Sequence, residues 1–382
     1  MMNLLLKNAW VYQNHAFLPA DVLCADGKVE TVGSLPDLPD AQTVDMHGMR
    51  LCPGFIDIHS HGGNGVDVNA ADENGLAKIA AFFASQGTTA WHASIMTDSE
   101  DVTMRCLSAV SALQKRHGYG AQLMGAHLEG PFLSAKYKGA MPEYLLRTGS
   151  ESLFRRYENA YPGAVRYITV SPEVAGVPEM ITAIKDDVVV AIGHSGANYD
   201  TAMDAIHRGA RCATHTFNAM QLFHQHEPAI MGAVLESDVW CEAICDGRHL
   251  HPGAVRLLLK CKSWDKVVAI TDSIMAAGLP DGKYKLGVND VIVRDGDARL
   301  IEPDVRAGST LTTIQALRNL IRFTEHPLED VLPLLTENPA AAMRIGMQKG
   351  KIEHGFDADL VLLDEQLNVI MTIVGGEIVY QA

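Results

Sequence analysis

Two histidines separated by one serine, in the stretch "GFIDIHSHGG" from Gly54 to Gly63, are the first residues of the chain whose type and spacing suggest chemistry. Residues two apart on a β-strand point to the same face, so His59 and His61 can aim both imidazoles at one object. Imidazole nitrogen is a ligand for zinc, iron and similar divalent metals. Company for the pair comes later in the chain. Glu129 closes the run "QLMGAHLE", His194 closes "VVVAIGH", His215 closes "RCATH" and Asp272 closes "VVAITD". Four imidazoles and two carboxylates therefore fall at the ends of short apolar runs.

Those runs are the elements that must position the site. With "FIDIH", "TTAWHAS", "VRYITVSPE" and "WCEAICD" they make eight strand candidates. Between them lie helical patterns such as "ENGLAKIAAFFASQG" and "DVTMRCLSAVSALQKRHG", in which apolar residues recur at three and four. Eight strands alternating with helices fit a (β/α)8 barrel of about 250 residues, whose catalytic face is built from the carboxyl ends of all its strands. The six residues would meet there in one bowl. A doubly wound open sheet is the competing α/β architecture, but "HSHGGNG" lacks the Gly-x-Gly-x-x-Gly turn that such a sheet normally offers. The two ends of the chain read differently. Short strands with turns at Asp26-Gly27 and Gly375-Gly376 suggest that the first fifty and last thirty residues pair into one small β unit.

Composition bounds the partners. The chain has 382 residues, 47% apolar and 20% charged, enough for one large α/β domain with an accessory unit. A formal net charge of -15 argues against nucleic acid and against anionic membranes. A small anionic substrate remains compatible, since a local cationic pocket can overrule a distant field. The seven cysteines are scattered and form no Cys-x-x-Cys pair, so a reducing cytoplasm is expected. The start "MMNLLLKNAW" is too short an apolar run for a signal segment or a membrane span.

The motifs "LCPGFIDIHSHG", "ITD" and "GKIEHGFDADLVLLD" resemble the amidohydrolase superfamily. The more particular "HLEGPF", "AIGHSGA", "THTFNAM", "CDGRH" and "ITDSIMAAGLPDG" resemble the N-acetylglucosamine-6-phosphate deacetylase family, over nearly the whole chain. The resemblance implies a metal-bearing barrel over residues 53–346 and a small β-sandwich made from residues 1–52 and 347–382. It implies Glu129, His194 and His215 as shared metal ligands, His59 and His61 as the pair that adds a second ion in some members, and Asp272 as catalytic carboxylate and ligand. The cofactor would be one or two divalent ions, zinc first, with iron or another ion as alternatives. His249, Asn218, Ala219, Gly308 and Ser309 match substrate contacts, and a homodimer is implied.

Two positions depart from the family pattern. Met141, after Ala140 in "KGAM", stands where a substrate-binding histidine is expected. His226, in "HQHEPAIMG", replaces the arginine that binds the substrate phosphate, and Ala229 replaces a glycine. Histidine, with an ordinary pKa of about 6.5, does not reproduce the permanently charged fork of arginine at neutral pH. His224, His226, Lys138 and Arg248 are the cations available to rebuild an anion pocket. The expected reaction is hydrolysis of the N-acetyl amide of an amino sugar phosphate, either N-acetylglucosamine 6-phosphate or an epimer. The alternative is a family deacylase acting on an unphosphorylated N-acyl amino sugar or another N-acyl amine.

Overall fold

A computed structural model describes residues 3–302 and 304–382. All eight strand candidates form one parallel sheet in chain order: β1 (Phe55–Ser60), β2 (Thr88–Met96), β3 (Gln122–Glu129), β4 (Val165–Val170), β5 (Val189–Ile192), β6 (Cys212–Ala213), β7 (Trp240–Ile244) and β8 (Val267–Ile270). Nearly every residue of these strands is buried, as expected where helices cover the outside and side chains fill the inside. The sheet closes between the carboxyl end of β1 and the residues just beyond β8. Asp272 N donates to His59 O at 2.9 Å and His61 N donates to Ser273 O at 2.7 Å. The seam of the barrel therefore runs through the His-x-His segment and Asp272.

Eight helices follow the strands: α1 (Glu73–Ser85), α2 (Glu100–Leu113), α3 (Glu151–Ala160), α4 (Val177–Ile184), α5 (Tyr199–Arg208), α6 (Ala229–Glu236), α7 (Pro252–Lys262) and α8 (Thr313–Thr324). Local sequence explains where several begin. Asp72, Ser99, Ser150 and Asn198 each accept a backbone N–H of the first turn with their side chains. Pro252 opens α7, where its missing N–H costs nothing. Among the described residues no helix is long and apolar enough to cross a membrane.

The two ends of the chain build one eight-stranded sheet around a second core of residues such as Leu4, Leu6, Val22, Leu51, Leu360 and Ile373. Its centre is the antiparallel pairing of Arg50–Pro53 with Leu360–Leu363, which joins the N-terminal strands to the C-terminal ones. The hairpins turn at Asp26-Gly27 and Gly375-Gly376, all four residues at positive φ, which glycine adopts freely. The unit is docked on the barrel: Tyr12 Oη donates to Glu329 O at 3.0 Å and Thr372 Oγ1 to Ala84 O at 2.7 Å. A three-stranded antiparallel sheet, Gly282–Leu286, Asn289–Arg294 and Asp297–Leu300, lies between β8 and α8. It packs its apolar face with Met96, Leu133, Met141 and Ile274.

Candidate active site

Each of the six candidate ligands sits on or just past the carboxyl end of its strand. Glu129 is the last residue of β3, and His194, His215 and Asp272 each lie two residues beyond β5, β6 and β8. These last three adopt positive φ, at 46°, 27° and 48°. Left-handed backbone is costly for side chains other than glycine and marks positions held by their surroundings. In this chain it turns three side chains away from their strand direction and into the bowl.

The imidazoles converge in a particular protonation pattern. Nδ1 of His194 faces Tyr137 O at 2.9 Å, Nδ1 of His215 faces Asn218 O at 3.1 Å, and Nδ1 of His61 faces Ser94 O at 3.0 Å. Nδ1 of His59 faces Glu242 Oε2 at 3.0 Å. Carbonyl and carboxylate oxygens only accept, so all four Nδ1 atoms donate, and neutral rings then point lone pairs from all four Nε2 atoms into the site. His194 Nε2 and His215 Nε2 are 3.0 Å apart, and His59 Nε2 and His61 Nε2 are 3.4 Å apart. Glu129 stands between the pairs: Oε1 is 3.1 Å from His194 Nε2 and 3.2 Å from His215 Nε2, while Oε2 is 3.1 Å from His61 Nε2. Asp272 Oδ1 lies 3.3 Å from His61 Nε2 and 3.6 Å from His59 Nε2.

His59, His61 and Glu129 form one three-ligand group, and Glu129, His194 and His215 a second. Lone pairs and carboxylate oxygens crowded this closely repel unless a cation sits among them, so the donor set fits one or two divalent ions bridged by Glu129. The charges say the same. Burial works to neutralise His61, but Asp272 and Glu129 overcome it and raise its pKa to about 9. Burial likewise opposes the charge on His59, yet Glu242, Glu129 and Asp272 carry its pKa well above the ordinary value. Burial alone would also raise Glu129 and Asp272; the neighbouring imidazoles hold both below the usual carboxylate range. The pocket demands positive charge, and a divalent metal supplies it in exchange for protons.

Above this floor is a cavity of about 490 Å³, within the range of small-ligand sites. His61, Glu129, His194, His215 and Asp272 line it, together with Ala140, Met141, Asn218, Ala219, His249 and Gly308. His59 is fully buried behind the wall, and Ser309 is buried with its N–H on Asp272 O at 2.7 Å. His249 holds its Nδ1 2.7 Å from Asp246 Oδ2, which leaves Nε2 as the atom it can offer to a ligand. Burial would raise the Asp246 carboxyl, but His249 holds it below its ordinary value. Gly308, at φ 59°, has no room for a side chain: a Cβ would meet Ile274 at 2.5 Å and Asp272 O at 2.9 Å.

His226 is not brought to this cavity. It is exposed and lines a different groove with Tyr199, Glu227 and Glu236, so the expectation that it contacts substrate finds no support within its own chain. Of the four cations proposed for an anion pocket, Lys138 lines the cavity and His224, His226 and Arg248 do not. Three lining residues with polar side chains were missed by sequence reasoning: Lys136, Tyr137 and Arg306. Glu242 and Asp57 were also missed. Glu242, a lone carboxylate in the apolar run "WCEAIC", already signalled a buried partner. Asp57 shares the inner face of β1 with His59 and accepts from Thr271 Oγ1 at 2.5 Å; burial pushes its pKa up to about 6. His127 of "HLEGPF" is a satisfied core residue, bonded to Ser94 Oγ and Thr169 Oγ1.

A parallel barrel with imidazoles and carboxylates gathered at the carboxyl ends of its strands is the architecture of a metal-dependent hydrolase. Residues 50–379 match the model of the Amidohydrolase family. The chain is 35% identical to the N-acetylglucosamine-6-phosphate deacetylase of Bacillus subtilis, over 99% of this chain and 97% of that one. It is 31% identical to the N-acetylgalactosamine-6-phosphate deacetylase of Escherichia coli O157:H7, over 93% of each. Among solved structures, a mutant N-acetyl-D-glucosamine-6-phosphate deacetylase from Mycobacterium smegmatis, in complex with N-acetyl-D-glucosamine-6-phosphate, superposes with a TM-score of 0.92 at 32% identity, covering all of both chains. The chain belongs to the N-acetylglucosamine-6-phosphate deacetylase family of amidohydrolases.

Proposed function

We infer that this protein hydrolyses the N-acetyl amide of an amino sugar 6-phosphate, releasing acetate and the free amine. The observation that carries the reading is Glu129, shared by two three-ligand groups beside Asp272 at the floor of the cavity. His59, His61, Glu129, His194 and His215 would hold one or two divalent ions, zinc first and iron as the alternative. A divalent ion held there polarises the amide carbonyl and makes a water acidic enough to lose a proton near neutral pH, at a pKa of about 7.

The remaining steps belong to the chain. Asp272, kept ionised by the neighbouring imidazoles, accepts the proton of the attacking water and then delivers it to the departing nitrogen. His249 Nε2 holds the acyl oxygen or a sugar hydroxyl. The Asn218–Ala219 loop and Gly308, whose backbone comes close to the cavity, form the sides of the sugar site. Residues 53–346 are the catalytic unit and 1–52 with 347–382 the accessory unit. Both hexosamine epimers are represented among the relatives' substrates and both belong in the test. We place the protein in the cytoplasm, as a homodimer, in keeping with seven unpaired cysteines.

The second reading, an unphosphorylated N-acyl amine as substrate, is favoured by Met141 in the cavity wall and by His226 outside it. Acetate release from metal-reconstituted protein decides between them. N-acetylglucosamine 6-phosphate, N-acetylgalactosamine 6-phosphate and their unphosphorylated parents are compared; turnover confined to the phosphorylated pair supports the first reading, and equal or better turnover of the parents supports the second.

A further inference from the structure

The charges around the cavity are segregated. Among the described residues its acidic members are Glu129 and Asp272, both on the floor, and its cations are Lys136, Lys138 and Arg306. Lys138 Nζ donates to Met141 O at 3.2 Å and Lys136 Nζ lies 5.3 Å from the Tyr137 ring; among the described residues neither has a carboxylate partner. Arg306 is held from one side. Its Nε donates to Asp297 Oδ1 at 2.9 Å and its Nη2 to Oδ2 at 3.3 Å, while among the described residues Nη1 has no hydrogen-bond partner. Two residues further on, Gly308 packs against Asp272, so the segment that closes the catalytic wall also carries this guanidinium.

Building on the deacetylase reading above, we propose that Arg306, with Lys136 and Lys138, forms the subsite for the phosphate monoester of the substrate, within one chain and without His226. A phosphate monoester carries close to two negative charges at neutral pH and three acceptor oxygens. In a chain with a net charge of -15 it needs local cations, and these three are the ones that border the cavity. Guanidinium suits it because a planar fork, fixed along one edge by a carboxylate, presents its other N–H groups in a set geometry. Asp297 is then a positioning residue, shared with Arg299 at 3.4 Å.

The test uses the full metal-loaded chain and Arg306→Ala, Arg306→Lys and Asp297→Asn, with melting temperature as a check on folding. KM for the phosphorylated sugar is expected to rise about 10- to 100-fold in Arg306→Ala, the loss typical of one charge-assisted hydrogen bond. In that variant kcat stays within about threefold, and the unphosphorylated parent is handled as by wild type. Arg306→Lys recovers part of the loss, and Asp297→Asn falls between wild type and Arg306→Ala. Binding of glucose 6-phosphate against glucose, by calorimetry, gives a readout that needs no amide. If wild type releases no acetate yet binds glucose 6-phosphate through Arg306, the subsite stands and the deacetylase reading falls. If wild type releases acetate but does not discriminate for phosphate, or if Arg306→Ala discriminates as well as wild type, the subsite is overturned and the deacetylase chemistry stands.

Discussion

Glu242 Oε2 lies 3.0 Å from His59 Nδ1, with both side chains buried. The same carboxylate accepts Tyr167 Oη at 2.7 Å and the backbone N–H of His215 at 2.9 Å. One acid from β7 thus orients a ring of the His-x-His pair through its side chain and a second candidate ligand through its backbone. Carboxylates behind metal-bound histidines typically contribute about 10- to 100-fold in metal affinity. Glu242→Ala is expected to weaken the more loosely held ion by that factor, with Glu242→Gln in between because its amide oxygen still accepts the Nδ1 proton. Metal content under chelator competition measures it, alongside melting temperature, since three buried donors lose their acceptor. Unchanged metal retention in Glu242→Ala would sink this account of His59.

Asp272 touches the His-x-His pair but belongs to neither three-ligand group. Asp272→Asn is therefore expected to keep the ion bound by Glu129, His194 and His215 while kcat for acetate release falls by about 10²- to 10⁴-fold, the span of a lost acid–base group. KM should move little. Metal analysis and kinetics on the same preparation separate the two effects, and wild-type turnover in this variant would remove Asp272 from the proton path.

Much of this site could be read from the chain because a barrel places chemistry where strands end. The eight apolar runs could be recognised by their polar last residues, and the terminal hairpins by Asp26-Gly27 and Gly375-Gly376. What could not be read is long-range or conformational. The left-handed backbone of His194, His215 and Asp272 has no signal in residue type, since glycine is what normally marks such positions. The sheet spanning Gly282 to Leu300 was passed over, although Asp295-Gly296 marks its second turn, and with it went the segment that carries Arg306. A surface arginine in a loop looks the same in sequence whether it faces solvent or a cavity.

The departure at Ala229 acquires a physical meaning from the backbone. Ala229 has φ 55° at the entry to α6, the conformation that explains the glycine expected there. Left-handed backbone costs an alanine about 1–2 kcal/mol, part of which a glycine gives back through greater freedom in the unfolded chain. Ala229→Gly is expected to stabilise the protein by up to about 1 kcal/mol. Denaturant unfolding gives the difference directly, and a less stable variant would show that the methyl group's packing outweighs the strain.

Lys349 is buried between Asp359 and Asp357, with Nζ 2.6 Å from one and 2.8 Å from the other, where the chain crosses back from the barrel to the terminal sheet. Burial disfavours its charge, but the two carboxylates raise its pKa above 10.5. Burial likewise works against the Asp357 carboxylate, and Lys349 with Lys28 holds it below 3.8. The lysine's share of stability is therefore complete below its unfolded pKa of about 10.4 and disappears as pH climbs through the raised folded value. The Asp357 share is complete above about 3.9 and disappears as pH falls through the depressed value. Lys349→Met leaves buried Asp359 without a cation, with Asp357 beside it held by Lys28 alone, and is expected to cost about 3–5 kcal/mol at pH 7. The gap from wild type should narrow as pH drops below about 4, where protonation removes the repulsion in the variant and the attraction in wild type. Unfolding curves for both proteins across that range test it; a pH-independent gap would mean that Lys349 acts through packing of its aliphatic stem rather than through its charge.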